Sequence, residues 1–179
     1  MEALLKYFTP EELEQLQTLD LYSRNKALVS KLFFHKKDKS GKPYIGHLLR
    51  VSENMTSIDG KIAGLLHDVV EDIQGVTFND LISFGVPKHI IEALKLVTKE
   101  ETKELLTKEQ KLQKYNQEID RIIESKNLLA LELKIADMSD NYDPNRLEEL
   151  DEEKRKWFEQ KYGQNIKRLR KVREESDRH

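Results

Sequence analysis

Residues 61–73 read KIAGLLHDVVEDI, an apolar run that is interrupted by one histidine and three acidic side chains. An ionised carboxylate that leaves water without a partner costs several kcal/mol, so charges inside such a run need a reason. On a helix that turns about 100° per residue, His67 lies next to Glu71 and Asp68 lies next to Asp72. The stretch therefore predicts a buried helix with one compact polar patch, suited to a cation and a polarised water.

A second apolar helix offers another inward-facing carboxylate. In LLALELKIADMSDN, residues 128–141, Asp137 lies between two apolar residues and Asn141 follows one turn later. A lone aspartate in such a helix is more often a cap or an ion-paired residue than a ligand. A ligand role becomes the better interpretation when Asp137 is considered together with the polar patch and with His47, which follows a Pro-Tyr turn. Histidine and carboxylate ligands without thiolate suit Mn²⁺, Fe²⁺, Mg²⁺ or Zn²⁺ bound for hydrolysis.

Helix formers dominate nearly every window of the 179 residues, and only seven glycines and four prolines supply turn signals. Thr9, Pro10 and Glu12 form a capping-box pattern, and Thr77 caps a later helix. The helices are expected at about 10–19, 21–34, 44–55, 61–70, after Thr77, around 90–97, and at about 100–126, 127–141 and 147–175. We predict an all-α fold, a compact multi-helix bundle that forms a single domain over residues 1–179.

Charge and residue usage exclude several classes of protein. The net charge of −2 removes the overall positive field on which non-specific nucleic-acid binding relies. The absence of cysteine excludes disulfides, thiolate zinc sites and cysteine nucleophiles. No run approaches the ~18 apolar residues of a membrane span, and the N-terminus lacks the features of a signal peptide. We expect a soluble, cytoplasmic protein with neither nucleic-acid nor membrane partners. The sequence leaves open whether the chain forms a homo-oligomer.

The most basic loop is HKKDKSGKP at residues 35–43. Basic side chains hold phosphorylated ligands, and this loop supplies Lys36, Lys37, Lys39 and Lys42. The alternative interpretation is a solvated charge cluster, because exposed lysines are common.

Three segments, taken in this order, resemble a known family. GKPYIGH (41–47), LLHDVVED (65–72) and KIADMSDN (134–141) resemble the signature segments of the HD-domain alarmone hydrolases. This family comprises the hydrolase domain of the RelA/SpoT enzymes and its stand-alone small relatives. The resemblance covers about residues 22–150 and implies an HD-type helical bundle.

The resemblance also implies a role for each matching residue. The family's metal ligands match His47, His67, Asp68 and Asp137. Its Glu-Asp pair, which positions and activates the water that attacks the 3′-pyrophosphate, matches Glu71 and Asp72. Its nucleotide-contacting asparagine matches Asn141. The family uses Mn²⁺, and other divalent metals are compatible with a thiol-free ligand set.

Two departures from the family bear on the site. Lys36 and Lys37 stand where the family usually has an Arg-Lys pair, of which the arginine stacks on or near the base, and lysine has no planar group to stack. Leu48 replaces the proline that commonly follows the ligand histidine. Lys36 and Lys37 are still expected to bind the substrate, together with Asn141.

Three hypotheses about function follow. The first is a metal-dependent pyrophosphohydrolase that removes the 3′-diphosphate of guanosine tetra- or pentaphosphate with a metal-activated water. The second keeps the HD site and acts on another nucleotide. The third is a non-catalytic helical module that binds a partner or only a metal. The Glu-Asp pair favours the first, and polar residues buried in apolar helices argue against the third, because burying charge without function gains nothing.

Overall fold

The computed structural model describes residues 3–38, 41–99, 105–148, 150–176 and 178. Within these residues the regular structure is helical, and β-type pairing is limited to an isolated bridge between Lys37 and Pro43. The predicted all-α fold is confirmed. The chain divides into two compact units, Met1–Thr98 and Lys99–His179, and a single domain over residues 1–179 stays a prediction.

The first unit has seven α-helices in its described part. They are α1 (Pro10–Gln17), α2 (Leu21–Leu32), α3 (Ile45–Glu53), α4 (Ile58–Leu66), α5 (Val69–Asp72), α6 (Phe78–Ser83) and α7 (Lys88–Val97). The predicted capping box at Thr9 is present, and Thr77 forms a second one with Asp80. These side chains satisfy backbone N–H groups that have no partner inside the helix, and so determine where α1 and α6 begin.

Helix α4 lies at the centre of the first unit and packs against α2, α3 and α7. All of its residues from Ile62 to Leu66 are buried. The approach of α3 is closest at Gly64, where an added Cβ would lie 2.7 Å from the Cα of Ser52. Because Gly64 has no side chain, it allows the spacing between α3 and α4.

The helix predicted at about 61–70 ends earlier, at Leu66, and this corrects the expectation of one continuous helix. Residues 67 and 68 form a turn before α5 begins. The His67 ring nitrogen Nδ1 lies 2.8 Å from the Gly64 carbonyl oxygen. In an unbroken α-helix that carbonyl accepts from the N–H of Asp68. The imidazole competes for this acceptor, so the His-Asp pair occupies a junction between two helices.

The second unit has five α-helices in its described part. They are α8 (Lys108–Ser125), α9 (Leu128–Asn141), α10 (Pro144–Glu148), α11 (Glu152–Phe158) and α12 (Gln164–Ser176), with a π-helical segment at Glu159–Gly163. Helix α12 packs against α8 and α9. Helix α9, predicted to be a core helix, buries Leu131, Leu133 and Met138.

Two helices of the second unit differ from the prediction. The helix expected at about 100–126 begins at Lys108, because Thr107 caps it, and residues 100–104 lie outside the described residues. The helix expected at about 147–175 is divided, because Asp151 caps a new helix.

No helix in the described part of the chain is both long enough and apolar enough to cross a membrane.

Candidate metal centre

Three polar side chains of the first unit are buried together. His47 is the third residue of α3, and His67 and Asp68 form the turn between α4 and α5. Their exposed fractions are 6%, 5% and 8%. Close packing of α3 on α4 brings the two histidines together, so three of the four predicted ligands form one group.

The donor atoms of this group have the separations expected for ligands of one ion. His67 Nε2 lies 3.2 Å from His47 Nε2 and 3.2 Å from Asp68 Oδ2. His47 Nε2 lies 3.7 Å from Asp68 Oδ2. Ligands at about 2.0–2.2 Å from a divalent ion lie about 3–3.6 Å from one another in octahedral or tetrahedral geometry, so both separations from His67 fall in this range and the separation of His47 from Asp68 exceeds it by about 0.1 Å. The three residues therefore fit a shared divalent ion.

The orientation of the His67 ring is fixed by the backbone. The Gly64 carbonyl oxygen lies 2.8 Å from Nδ1 and is only an acceptor, so Nδ1 carries the proton and Nε2 presents a lone pair. Pairing of the second ring nitrogen with a carbonyl is a common way of orienting metal-binding imidazoles. The carboxylate of Asp68 adds the negative charge that a bound cation requires.

Tyr44 belongs to the site but was missed by the sequence interpretation. Its hydroxyl donates to Asp68 Oδ2 at 2.5 Å. Its ring stands edge-on to His47, with the centroids 5.6 Å apart, and stacks on Phe33 at 5.5 Å. The Pro-Tyr turn could have indicated this role, because a residue three positions before His47 lies on the same side of a helical turn.

The Glu-Asp pair, Glu71 and Asp72, lies on α5 directly after the candidate ligands. The backbone N–H of Asp72 donates to the Asp68 carbonyl at 2.9 Å, which confirms the predicted one-turn spacing. Both acidic residues are half-buried. Asp72 Oδ1 lies 2.8 Å from Lys36 Nζ, so a lysine of the basic loop is engaged with this pair.

The basic loop is closed by its own backbone. The N–H of Tyr44 donates to the Lys36 carbonyl at 2.9 Å, and Lys37 forms the isolated bridge. Lys37 and Lys42 are exposed. Lys39 lies outside the described residues. Substrate binding by Lys36 and Lys37 stays a prediction.

In the second unit, Asp137 is held by neighbours on α9. Asn141 Nδ2 donates to Asp137 Oδ1 at 2.7 Å, and Lys134 Nζ lies 3.3 Å from Oδ2. Lys134 is only 3% exposed, so a buried cation balances this carboxylate. Asp137 as the fourth ligand and Asn141 as a nucleotide contact stay predictions.

The second unit also has a basic cleft of about 330 Å³ that the sequence interpretation missed. Four lysines and two aromatic residues line most of it: Lys99, Lys111, Lys114, Lys161, Tyr115 and Trp157. The Tyr115 hydroxyl is buried and has no hydrogen-bond partner among the described residues. Burial, followed by the charge of Asp137, raises the pKa of Tyr115 well above its usual value. The hydroxyl is therefore a neutral donor at physiological pH.

Comparisons with known proteins bear on the fold. No family model and no curated protein matches the chain. Seven solved chains match it. One is a metazoan orthologue of SpoT, described as hydrolysing ppGpp and as having a role in starvation responses. It is 21% identical, with a TM-score of 0.62 over 88% of this chain and 96% of that chain. The present chain therefore shares the fold of that SpoT orthologue, which confirms at the level of the fold the resemblance inferred from the three segments.

Proposed function

We propose that the chain is a metal-dependent phosphohydrolase, and specifically a pyrophosphohydrolase that removes the 3′-diphosphate of guanosine tetra- or pentaphosphate. The observation that carries the proposal is the buried group His47, His67 and Asp68, followed within one turn by Glu71 and Asp72. The fold shared with a SpoT orthologue that hydrolyses ppGpp supports the substrate class.

The metal in this proposal is Mn²⁺, held by the buried group of the first unit with Asp137 as the fourth ligand. A divalent ion supplies two effects: it lowers the pKa of water and it neutralises charge that builds on the attacked phosphorus. The described histidine and carboxylate donors are compatible with this ion and offer no thiolate.

The remaining polar residues handle protons and the nucleotide. Glu71 acts as the general base for the attacking water, and Asp72 orients that water. The Lys36 ammonium, 2.8 Å from Asp72 Oδ1, holds the second carboxylate in place. Asn141 contacts the nucleotide. Within the second unit, the basic cleft has four lysines, which suit a phosphate group, and Trp157, which suits an aromatic ring.

A phosphohydrolase that acts on another nucleotide is the second candidate. The basic loop favours it, because Lys36 is paired with Asp72 and neither Lys36 nor Lys37 has a planar guanidinium for stacking on a base. The two candidates use the same metal centre and differ in the substrate and in the released product.

The test is incubation of the purified chain with Mn²⁺ and a panel of guanine and adenine nucleotides, with pyrophosphate and phosphate measured separately. We expect pyrophosphate from guanosine tetra- and pentaphosphate, none from Asp68→Ala, and wild-type release from Asp59→Ala, whose carboxylate is exposed and pairs with His89. Release from another nucleotide alone would favour the second candidate. Metal binding without turnover of any nucleotide would contradict both and favour a non-catalytic module.

A further inference from the structure

We propose that Tyr44 is a positioning residue of the metal centre, with a hydroxyl that orients Asp68 for metal binding. The inference rests on the proposed function and deepens it. The sequence resemblance assigned no role to this tyrosine, and the proposal comes from its contacts in the first unit.

The hydroxyl contacts the oxygen that faces the imidazoles. Tyr44 donates to Oδ2 of Asp68, the same atom that lies 3.2 Å from His67 Nε2 and 3.7 Å from His47 Nε2. A carboxylate oxygen has two lone pairs, so Oδ2 keeps one for a cation while the other accepts from the phenol. The terminal side-chain torsion angle of an aspartate takes a broad range of values. A fixed donor restricts that torsion before metal binds, and so lowers the cost of ordering the ligand.

Tyr44 is itself held rigidly enough to be such a donor. Phe33 is fully buried and stacks on the tyrosine ring, with 14° between the ring planes. The backbone N–H of Tyr44 donates to the Lys36 carbonyl, and Lys36 Nζ lies 5.2 Å from the ring centroid. The phenol is therefore anchored through both its ring and its backbone.

The ring also links the metal ligands to the Glu-Asp pair. Lys36 contacts the Tyr44 ring and the Asp72 carboxylate, while the ring edge meets His47. Tyr44→Phe removes the hydroxyl and retains a ring of the same shape for these contacts. The hydroxyl and the ring can therefore be tested separately.

The experiment measures Mn²⁺ affinity by electron paramagnetic resonance of the free ion, a readout that does not need turnover. Tyr44→Phe should weaken Mn²⁺ binding about 10–100-fold, the usual effect of losing a hydrogen bond to a metal ligand, with circular dichroism of the metal-free chain unchanged. Tyr7→Phe, which removes a hydroxyl bonded to the Gln74 carbonyl in the same unit, should bind as the wild type does.

A pair of residues of similar size keeps the test independent of how well Tyr44→Phe folds. Replacing Tyr44 by 4-aminophenylalanine retains an N–H donor and should restore most of the affinity. Replacing it by 4-methylphenylalanine offers no donor and should bind as weakly as Tyr44→Phe. Equal affinities for this pair would overturn the proposal, and so would wild-type affinity in Tyr44→Phe.

Failure of the proposed function gives a different result. A wild-type chain that binds Mn²⁺ and releases no pyrophosphate would contradict the proposed function, and the affinity comparison at Tyr44 would keep its meaning. A wild-type chain that binds no Mn²⁺ would overturn both proposals.

Discussion

Asp68 and Asp137 both lie in apolar segments, but the two carboxylates are held in different ways. Asp68 accepts from Tyr44, which lies 24 residues earlier and outside the two helices that flank the His-Asp turn. The hydrogen bonds described for Asp137 come from Lys134 and Asn141 on the same helix. The position of the Asp68 carboxylate therefore depends on how helices pack, whereas the position of the Asp137 carboxylate depends on residue spacing along one helix. Substitutions that disturb helix packing should affect these two carboxylates unequally.

The largest effect is expected from removing a ligand of the buried group His47, His67 and Asp68. His67→Ala should abolish both Mn²⁺ binding and pyrophosphate release, because it deletes one of three donors that meet at one point. Metal titration and product release check this. His89→Ala is the matched control, since His89 is exposed and paired with Asp59. Undiminished activity of His67→Ala would contradict the ligand assignment.

Asp137 provides the corresponding test in the second unit. If it is the fourth ligand, Asp137→Ala should weaken Mn²⁺ binding by at least about 100-fold, because losing a ligand costs more than losing a residue that only supports one. Asp120→Ala is the control, because Asp120 is exposed on α8 and paired with Arg168. Wild-type affinity in Asp137→Ala would confine the metal site to the first unit.

Glu71→Gln separates catalysis from metal binding. The variant should lose about 10²-fold in rate, as expected for a missing general base, and should retain its Mn²⁺ affinity. The measurements are product release at saturating metal and a metal titration. Glu92→Gln on α7 is an exposed control. If the metal is lost with the rate, Glu71 is a ligand and not the base.

Gly64→Ala tests the packing side of the comparison directly. Its Cβ would lie 2.7 Å from the Cα of Ser52, so α3 and α4 must separate and carry His47 away from His67. Overpacking of this kind costs about 1–3 kcal/mol of stability. We expect a lower melting temperature together with weaker Mn²⁺ binding. Gly60→Ala is the comparison variant on α4, because its new Cβ would meet Met55 Cε at 2.8 Å and Ser57 Oγ at 3.0 Å rather than a backbone atom of α3. Unchanged metal affinity in a destabilised Gly64→Ala would show that helix spacing does not set the site.

The smallest expected effect is that of pH. Imidazoles bind metal only when neutral, so protons compete below the ordinary histidine pKa of about 6.5. Affinity should reach its full value about two pH units above this pKa and should fall about tenfold between pH 7 and pH 6 for two histidine ligands. An affinity that is constant from pH 8 to pH 5 would contradict histidine ligation.

The features that the sequence predicted correctly follow from local geometry. The capping box at Thr9 and the one-turn pairs Asp68–Asp72 and Asp137–Asn141 each depend on a spacing of three or four residues. The all-α fold follows from periodicity and from the scarcity of turn residues. Such features can be derived from residue spacing because the helix itself supplies the geometry.

The features that were missed depend on contacts between distant residues. The helix ends at Leu66 because the His67 side chain takes the Gly64 carbonyl, a competition that residue periodicity does not reveal. Tyr44 reaches Asp68 only after α3 has packed on α4. The basic cleft of the second unit likewise combines residues of α8 and α11 that are far apart in the chain.

The central claim is that one divalent ion is held by His47, His67 and Asp68. The most direct test is anomalous X-ray diffraction from crystals of the full chain grown with Mn²⁺. The account predicts a manganese peak about 2.0–2.3 Å from His47 Nε2, His67 Nε2 and Asp68 Oδ2. The account would be contradicted by crystals grown at saturating Mn²⁺ in which the manganese peak lies away from these atoms or is absent.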